Sequence, residues 1–205
     1  MLLVVDHRNR VRQHAVLRSM FAARKRVFID LLKWDLPVLA GRYEVDQFDD
    51  VHASYLIIAD RDDNHLASAR LLSTTRPALL DSLFADLIAA DLPRGPQVLE
   101  ITRFCLSREA GARLRREARD TLLVGLVEFA LANNVRTYTG VAELAWFEQI
   151  QGFGWACRAL GEPRGAGSRA LVALRIDIDE TTLGRLAAAG IGPSAEDGIT
   201  RAWAA

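Results

Sequence analysis

Residues 44–50 read EVDQFDD, four carboxylates around one aromatic and one amide. Carboxylates at this density hold a metal ion, form a solvated acidic face, or accept an organic cation. A calcium loop needs alternating ligands, a turn glycine and a terminal bidentate glutamate; this stretch has neither the glycine nor the downstream glutamate. His7, His14, His52 and His65 are scattered, with no pair at zinc-ligand spacing. No metal is therefore expected. A solvated face is the general reading of a charge run, but three other features weigh against it. Arg24, Lys25 and Arg26 precede the stretch, with Arg24 and Phe28 on one helical face and Trp34 beyond them. Arg70 stands between Ala69 and Leu71 in an apolar run, and Glu100 and Arg103 lie inside QVLEITRFCL. A buried charge without a partner is very costly, so these arginines call for acid from elsewhere in the chain. Within the stretch, Asp46 and Asp49 are the candidates, while Glu44 and Asp50 could still be mere surface charge.

The elements that carry these residues follow from periodicity. LLVV at 2–5 reads as a strand, and apolar positions from about 11 to 32 recur at helical spacing. Residues 33–51 form a long loop, ordered by Trp34, Tyr43 and Phe48. ASYLIIAD (53–60), the turn RDDN and HLASARLLS (65–73) predict a β-meander. A partly helical connection at 77–93 leads to a buried strand at 97–106 and the clearest helix at 112–133. A strand at 136–144, a short helix ending near Gly152 and a strand at 168–178 complete the pattern. That order describes an α/β sandwich around a mixed sheet. One domain over 1–180 with an extension at 181–205 is expected. Neither a dinucleotide fingerprint nor a P-loop occurs.

Composition narrows the partners. The 205 residues hold 26 Lys+Arg and 26 Asp+Glu, a formal net charge of zero, which argues against nucleic acid. Two cysteines outside any C-x-x-C motif make no disulfide framework. The N-terminus lacks a signal-peptide core, and no run approaches the ~20 apolar residues of a membrane span. A cytoplasmic protein without membrane contact is expected.

The ordered set R-x-x-x-F-x5-W (Arg24, Phe28, Trp34), E-x-D-x-x-D (Glu44, Asp46, Asp49), R-L-L (70–72) and E-I-T-R-F (100–104) closely resembles the acyl-homoserine-lactone synthases, the LuxI-type autoinducer synthases. The resemblance implies a GCN5-related N-acyltransferase-like three-layer sandwich with a mixed central β-sheet. It implies S-adenosylmethionine as amine substrate, with no separate cofactor, and an acyl thioester as donor. The family's invariant positions fall on Arg24, Phe28, Trp34, Asp46, Asp49, Arg70, Glu100 and Arg103, and Phe104 completes the last motif. Two departures stand out. Ser68-Ala69 replaces a Gly-Cys or similar pair before the R-L-L arginine, and Trp146 stands where a smaller residue is usual, which bears on acyl-chain length.

These residue types suit that chemistry. Asp46 and Asp49 could offset the substrate's positive charges, and Phe28 and Trp34 offer aromatic faces to the sulfonium and adenine. An arginine among Arg24, Arg70 and Arg103 could fork onto the methionine carboxylate while the set neutralises the acidic loop. Glu100 is the candidate base that frees the amine, with backbone N–H groups nearby for the oxyanion. Strict alternation puts Glu100 and Arg103 on opposite strand faces, so a shared cleft requires a bulge between them. Arg113, Arg115, Arg116 and Arg119 read either as a solvated helix face or as a docking site for an acyl-carrier protein, favoured over coenzyme A. The acyl tail is assigned to Thr139, Val141, Trp146 and Phe147, residue types equally at home in a core. Two alternatives remain: an N-acyltransferase acting on another amine without lactonisation, and a catalytically silent ligand-binding module.

Overall fold

Leu2–Val5 forms β1, and the chain then turns into α1 (His14–Arg24), whose Val16, Leu17, Met20 and Ala23 are buried. The computed structural model describes residues 1–89, 91–192 and 201–202. They group into two units, each with its own core. The first comprises Met1–Leu71 and Arg103–Gly125, with the strand Arg201–Ala202. The second comprises Leu72–Thr102 and Leu126–Gly192.

In the first unit α1 does not simply end. It widens into a π-helical stretch, Lys25–Leu31, in which the Leu32 N–H reaches back five residues to the Val27 carbonyl at 3.0 Å. Lys33 then adopts φ +61, and the Trp34 N–H bonds the Phe28 carbonyl at 2.9 Å. π-Turns of this kind recur at functional sites because they displace a side chain by part of a turn. The expected ordered loop contains a small hairpin, β2 (Val38–Leu39) with β3 (Tyr43–Glu44), turned through Ala40 and Gly41 at positive φ. β4 (Ser54–Ala59) pairs antiparallel with β1 and with β5 (His65–Ser73). Asp60 closes the intervening turn by accepting the N–H groups of Asp62 and Asn64. α1 packs against β3 and β4. Arg201–Ala202 pairs parallel with β1.

The second unit begins within β5 and holds α2 (Leu79–Leu83) and a 3-10 turn, Ala85–Leu87. The chain runs on through β6 (Val98–Leu106) and α3 (Ala112–Ala132), which each pass from one unit to the other. β7 (Thr137–Glu143), α4 (Leu144–Gln151), β8 (Ala156–Ala159), β9 (Leu171–Asp177) and α5 (Thr182–Ala188) complete it. β6 and β7 are parallel, whereas β7 and β8 both run antiparallel to β9. The strand directions are therefore mixed, as the element order predicts. β8 and α5 were not expected, being short and without strong periodicity. α5 is nevertheless held: Thr182 and Leu186 are fully buried, and at Gly154 (φ +89) a Cβ would lie 2.4 Å from the Arg185 carbonyl oxygen. Of the expected extension at 181–205, residues 193–200 and 203–205 lie outside the described residues. No helix among the described residues is long and apolar enough to cross a membrane.

One histidine is built into the first core. His65 is 4 % exposed, its Nε2 lies 2.8 Å from Ser68 Oγ, and its Nδ1 is buried with no hydrogen-bond partner among the described residues. Burial, with the charges of Arg26 and Arg24, pushes its pKa down from 6.5 to about 3. The other three histidines are exposed. Because the folded state resists protonation, His65 contributes its full stability above pH 6.5 and loses it as pH falls towards about 3. Urea midpoints should fall between about pH 7.5 and 5.5, and His65→Gln should flatten that dependence. An equally steep fall in the variant would exclude His65 as its source.

Candidate functional site

The acidic stretch and the three arginines meet in the first unit. Arg24 ends α1, Glu44 ends β3, Asp46 and Asp49 occupy the following turn, Arg70 lies on β5 and Arg103 on β6. The turn is shaped by its own carboxylates. Asp46 Oδ1 accepts the Phe48 N–H at 2.8 Å, and Asp49 Oδ2 accepts the Asp46 N–H at 2.9 Å. Both carboxyl groups are thereby aimed at the arginines.

Each carboxylate bridges two guanidinium groups. Glu44 takes Arg24 Nε on Oε2 and Arg103 Nε on Oε1, the latter at 3.1 Å. Asp46 takes Arg103 Nη2 at 2.7 Å and a two-pronged Arg70 contact at 2.6 and 3.1 Å. Asp49 takes Arg24 through both Nη atoms at 2.8 and 2.9 Å, and Arg70 Nη1 at 2.9 Å. The result is a closed ring of alternating charge, Arg24–Glu44–Arg103–Asp46–Arg70–Asp49. Forked charge-assisted bonds of this type are the strong ones.

Electrostatics follow the geometry. Burial alone would raise the Asp49 pKa, but the hydrogen bonds and charge of Arg24, with the charge of Arg70, hold it well below the carboxylate range. Burial also opposes the charge on each arginine. Carboxylates outweigh it at Arg24 and Arg70, whose pKa values rise. At Arg103 burial wins over Glu44 and Asp46, and the pKa is lowered. Arg103 is thus the least compensated cation of the ring. Its Nη1 has no hydrogen-bond acceptor among the described residues.

Aromatic side chains back the ring. Arg103 lies 5.8 Å over Phe28, which stacks on Trp34 at 5.0 Å and 11°. Arg24 lies over Phe21 and Arg70 over Phe48. Trp34 packs against a small core of Val27, Phe28 and Cys105. Burial pushes the Cys105 thiol up to about 12, leaving it an inert packing group.

Several sequence expectations are revised here. Glu44, for which mere surface charge is an open reading of the sequence, is fully buried and as central to the ring as either aspartate. Asp46 and Asp49, expected to face a substrate cation, spend their charge on arginines. The carboxylate oxygens of Glu44, Asp46 and Asp49 lie within 4.8 Å of one another, a spacing that suits a metal. A metal at that point would have to displace guanidinium groups that already balance the charge. Phe48 and Tyr55, whose hydroxyl donates to Asp49 Oδ1 at 2.9 Å, join the site without having been foreseen. Strict alternation in β6 ends at Arg103, which lies at φ +51, and burial passes from Glu100 and Thr102 to Cys105 across it. A non-glycine residue in that region stores strain of a kind common at functional sites.

Glu100 belongs to the second unit. It is 1 % exposed, and the Leu80 N–H donates to both its carboxylate oxygens at 3.1 and 3.2 Å. Thr139 is its register partner on β7, with Oγ1 buried and without a hydrogen-bond partner among the described residues. Val141 packs with Leu80, Leu87 and Ala173, Phe147 is buried, and Trp146 meets Phe153 edge-on at 5.7 Å. Phe104 is half-buried on β6. On α3, Arg113 pairs with Glu117 and Arg119 with Asp120, whereas Arg115 and Arg116 have no ion-pair partner among the described residues.

A family model described as autoinducer synthase matches residues 8–186. The chain belongs to this family. A probable acyl-homoserine-lactone synthase of Sinorhizobium fredii is 30% identical over 190 residues, covering 90% of this chain and 91% of the relative. An acyl-homoserine-lactone synthase of Ralstonia nicotianae is 35% identical over 182 residues, covering 86% and 89%. Among solved structures, a CoA-dependent acyl-homoserine lactone synthase, BjaI, with MTA, superposes with a TM-score of 0.83 at 27% identity, covering 95% and 90%. A putative N-acetyltransferase from Lactobacillus plantarum, with a TM-score of 0.56 at 16% identity, covers 87% and 99% and shares the fold alone. This autoinducer synthase is therefore an acyltransferase with a GCN5-related N-acyltransferase-like α/β fold.

The synthase's ring makes a quantitative claim about stability. Removing one member of a buried ion pair costs about 3–5 kcal/mol because its partner stays charged and dry. Asp46→Asn should lower the unfolding free energy by about that amount, read from urea denaturation at neutral pH. Arg70→Gln added to it should cost much less than it does alone. A midpoint unmoved by Asp46→Asn would mean the ring contributes nothing net.

Proposed function

We propose that this synthase makes an N-acyl-homoserine lactone from S-adenosylmethionine and an acyl thioester, by N-acylation followed by lactonisation with release of methylthioadenosine. The observation that carries the site assignment is Arg103: fixed through Nε and Nη2, free at Nη1, and lying over Phe28 beside Trp34. That combination suits a molecule with a carboxylate at one end and a sulfonium and adenine at the other. Arg103 takes the methionine carboxylate, while Phe28 and Trp34 face the sulfonium and the base. Asp46 and Asp49, with Arg24 and Arg70, act by holding Arg103. Relatives solved with S-adenosylmethionine and isopentyl-CoA, or with MTA, support this choice of substrates.

The amine attacks only when neutral, and an α-amino group has a pKa near ~8. Glu100, on a rigid strand, accepts its proton. The nitrogen lone pair adds to the thioester carbonyl, the C–S bond breaks, and the thiol leaves with a proton. In the second step the carboxylate oxygen attacks Cγ, and the sulfonium departs with the bonding pair as neutral methylthioadenosine. That step needs chiefly a near-attack geometry. Thr139, Val141, Trp146 and Phe147 receive the acyl chain. An acyl-carrier protein is the proposed donor, docking on the unpaired Arg115 and Arg116 with Arg113 and Arg119 beside them. The CoA-dependence of BjaI and MesI favours acyl-CoA as the second reading.

Incubation with S-adenosylmethionine and a panel of acyl-carrier-protein and acyl-CoA donors, followed by mass spectrometry, should show methylthioadenosine and lactone in equal amounts. Thioester consumption without methylthioadenosine would instead identify an N-acyltransferase that does not lactonise. Glu100→Gln should lower kcat by about 10²–10⁴-fold; near-normal turnover would remove Glu100 from the role of base.

A further inference from the structure

Asp49 is the most heavily bonded carboxylate of the ring, and one of its bonds comes from outside it. Oδ1 accepts Arg24 Nη1, Arg70 Nη1 and the Tyr55 hydroxyl, the last at 2.9 Å. Tyr55 sits on β4 with its side chain fully buried, packed edge-on against Phe21 at 5.9 Å and 81°. The face of Phe21 in turn carries the Arg24 guanidinium at 5.1 Å. One aromatic pair therefore backs both halves of the Arg24–Asp49 ion pair. From the other side, Arg10 Nη2 donates to the Tyr55 hydroxyl at 3.3 Å. Burial, reinforced by the Asp49 charge, raises the Tyr55 pKa, so the phenol remains a donor.

Asp49 also borders an open hollow of about 300 Å³ lined by Arg10, Arg18, Phe21 and Tyr43 among others. Free volume lies beside the carboxylate, so without the phenol it has room to turn away from the ring. We propose that Tyr55 is a positioning residue for the reaction: its hydroxyl, held from outside by Arg10, locks Asp49 into the ring beside that hollow. The lock reaches the substrate through contacts already given. Asp49 holds Arg70 at 2.9 Å, Arg70 holds Asp46 at 2.6 Å, and Asp46 holds Arg103 at 2.7 Å. Arg10 is the outer partner, orienting the phenol. The inference rests on the proposed binding of the substrate carboxylate by Arg103.

The test compares wild type, Tyr55→Phe and Arg10→Gln, with methylthioadenosine release measured against S-adenosylmethionine concentration at saturating donor and thermal unfolding followed in parallel. A hydrogen bond to a charged group sets the scale, so Tyr55→Phe should raise KM for S-adenosylmethionine about tenfold. Its kcat should change by less than about twofold, since uniform binding is what is lost. Arg10→Gln should shift KM in the same direction by less. Calorimetric binding of S-adenosylmethionine to Tyr55→Phe should weaken by the same factor as KM. Unchanged KM in Tyr55→Phe, or a drop in melting temperature and kcat at constant KM, overturns the proposal while leaving the functional reading in place. A wild-type protein that releases no methylthioadenosine with any donor overturns that reading, and the role of Tyr55 with it.

Discussion

Three guanidinium groups and three carboxylates in a closed, alternating ring are the constraint around which the first unit is arranged. Each ionised group placed out of water carries a penalty of several kcal/mol that a single partner repays poorly. Here every carboxylate bridges two arginines, so each charge is answered twice. The members come from the end of α1, the end of β3, the turn beyond it, β5 and β6. No element can shift register without unpairing a buried charge. Specificity of arrangement, more than raw stability, is what such a network supplies.

The same constraint accounts for local oddities of backbone. The π-helical stretch after Arg24 lets Phe28 lie under Arg103 while Arg24 stays in the ring. Arg103 itself sits at φ +51, a conformation that costs an L-residue roughly 1 kcal/mol or more. Charge-assisted bonds to Glu44 and Asp46 offset that cost. In the second unit the tension is of another kind. Glu100 is buried with the Leu80 N–H donating to it, and the Thr139 hydroxyl beside it has no hydrogen-bond partner among the described residues. Unspent hydrogen-bonding capacity in a dry place is what a polar substrate group would use.

Much of this was legible in the chain. Arg70 and Arg103 in apolar strands announced that acid must come to meet them. The strands at 65–73 and 98–106 and the helix from 112 followed from their periods. Other features left no signal. A π-turn differs from an α-turn by one hydrogen-bond step, which composition does not record. Glu44 closes a hairpin strand only two residues long, too short to show a period. Tyr55 in SYLIIA reads as one more apolar strand residue, because its hydroxyl matters only once Asp49 is folded beneath it. The π-turn, Glu44 and Tyr55 are consequences of tertiary contact.

A ring in which every charge is shared has a bearing on how such a chain drifts. Neutral change at one of the six positions is closed off, because each neighbour depends on it and only concerted replacement restores balance. The lineage can therefore explore new sequence far more freely around Val141, Trp146 and Phe147, which lie outside the ring. The ring proposed to hold one substrate stays frozen while the residues proposed to receive the other remain open to revision. A population's chemical dialect can diverge in this way without its members losing the ability to speak.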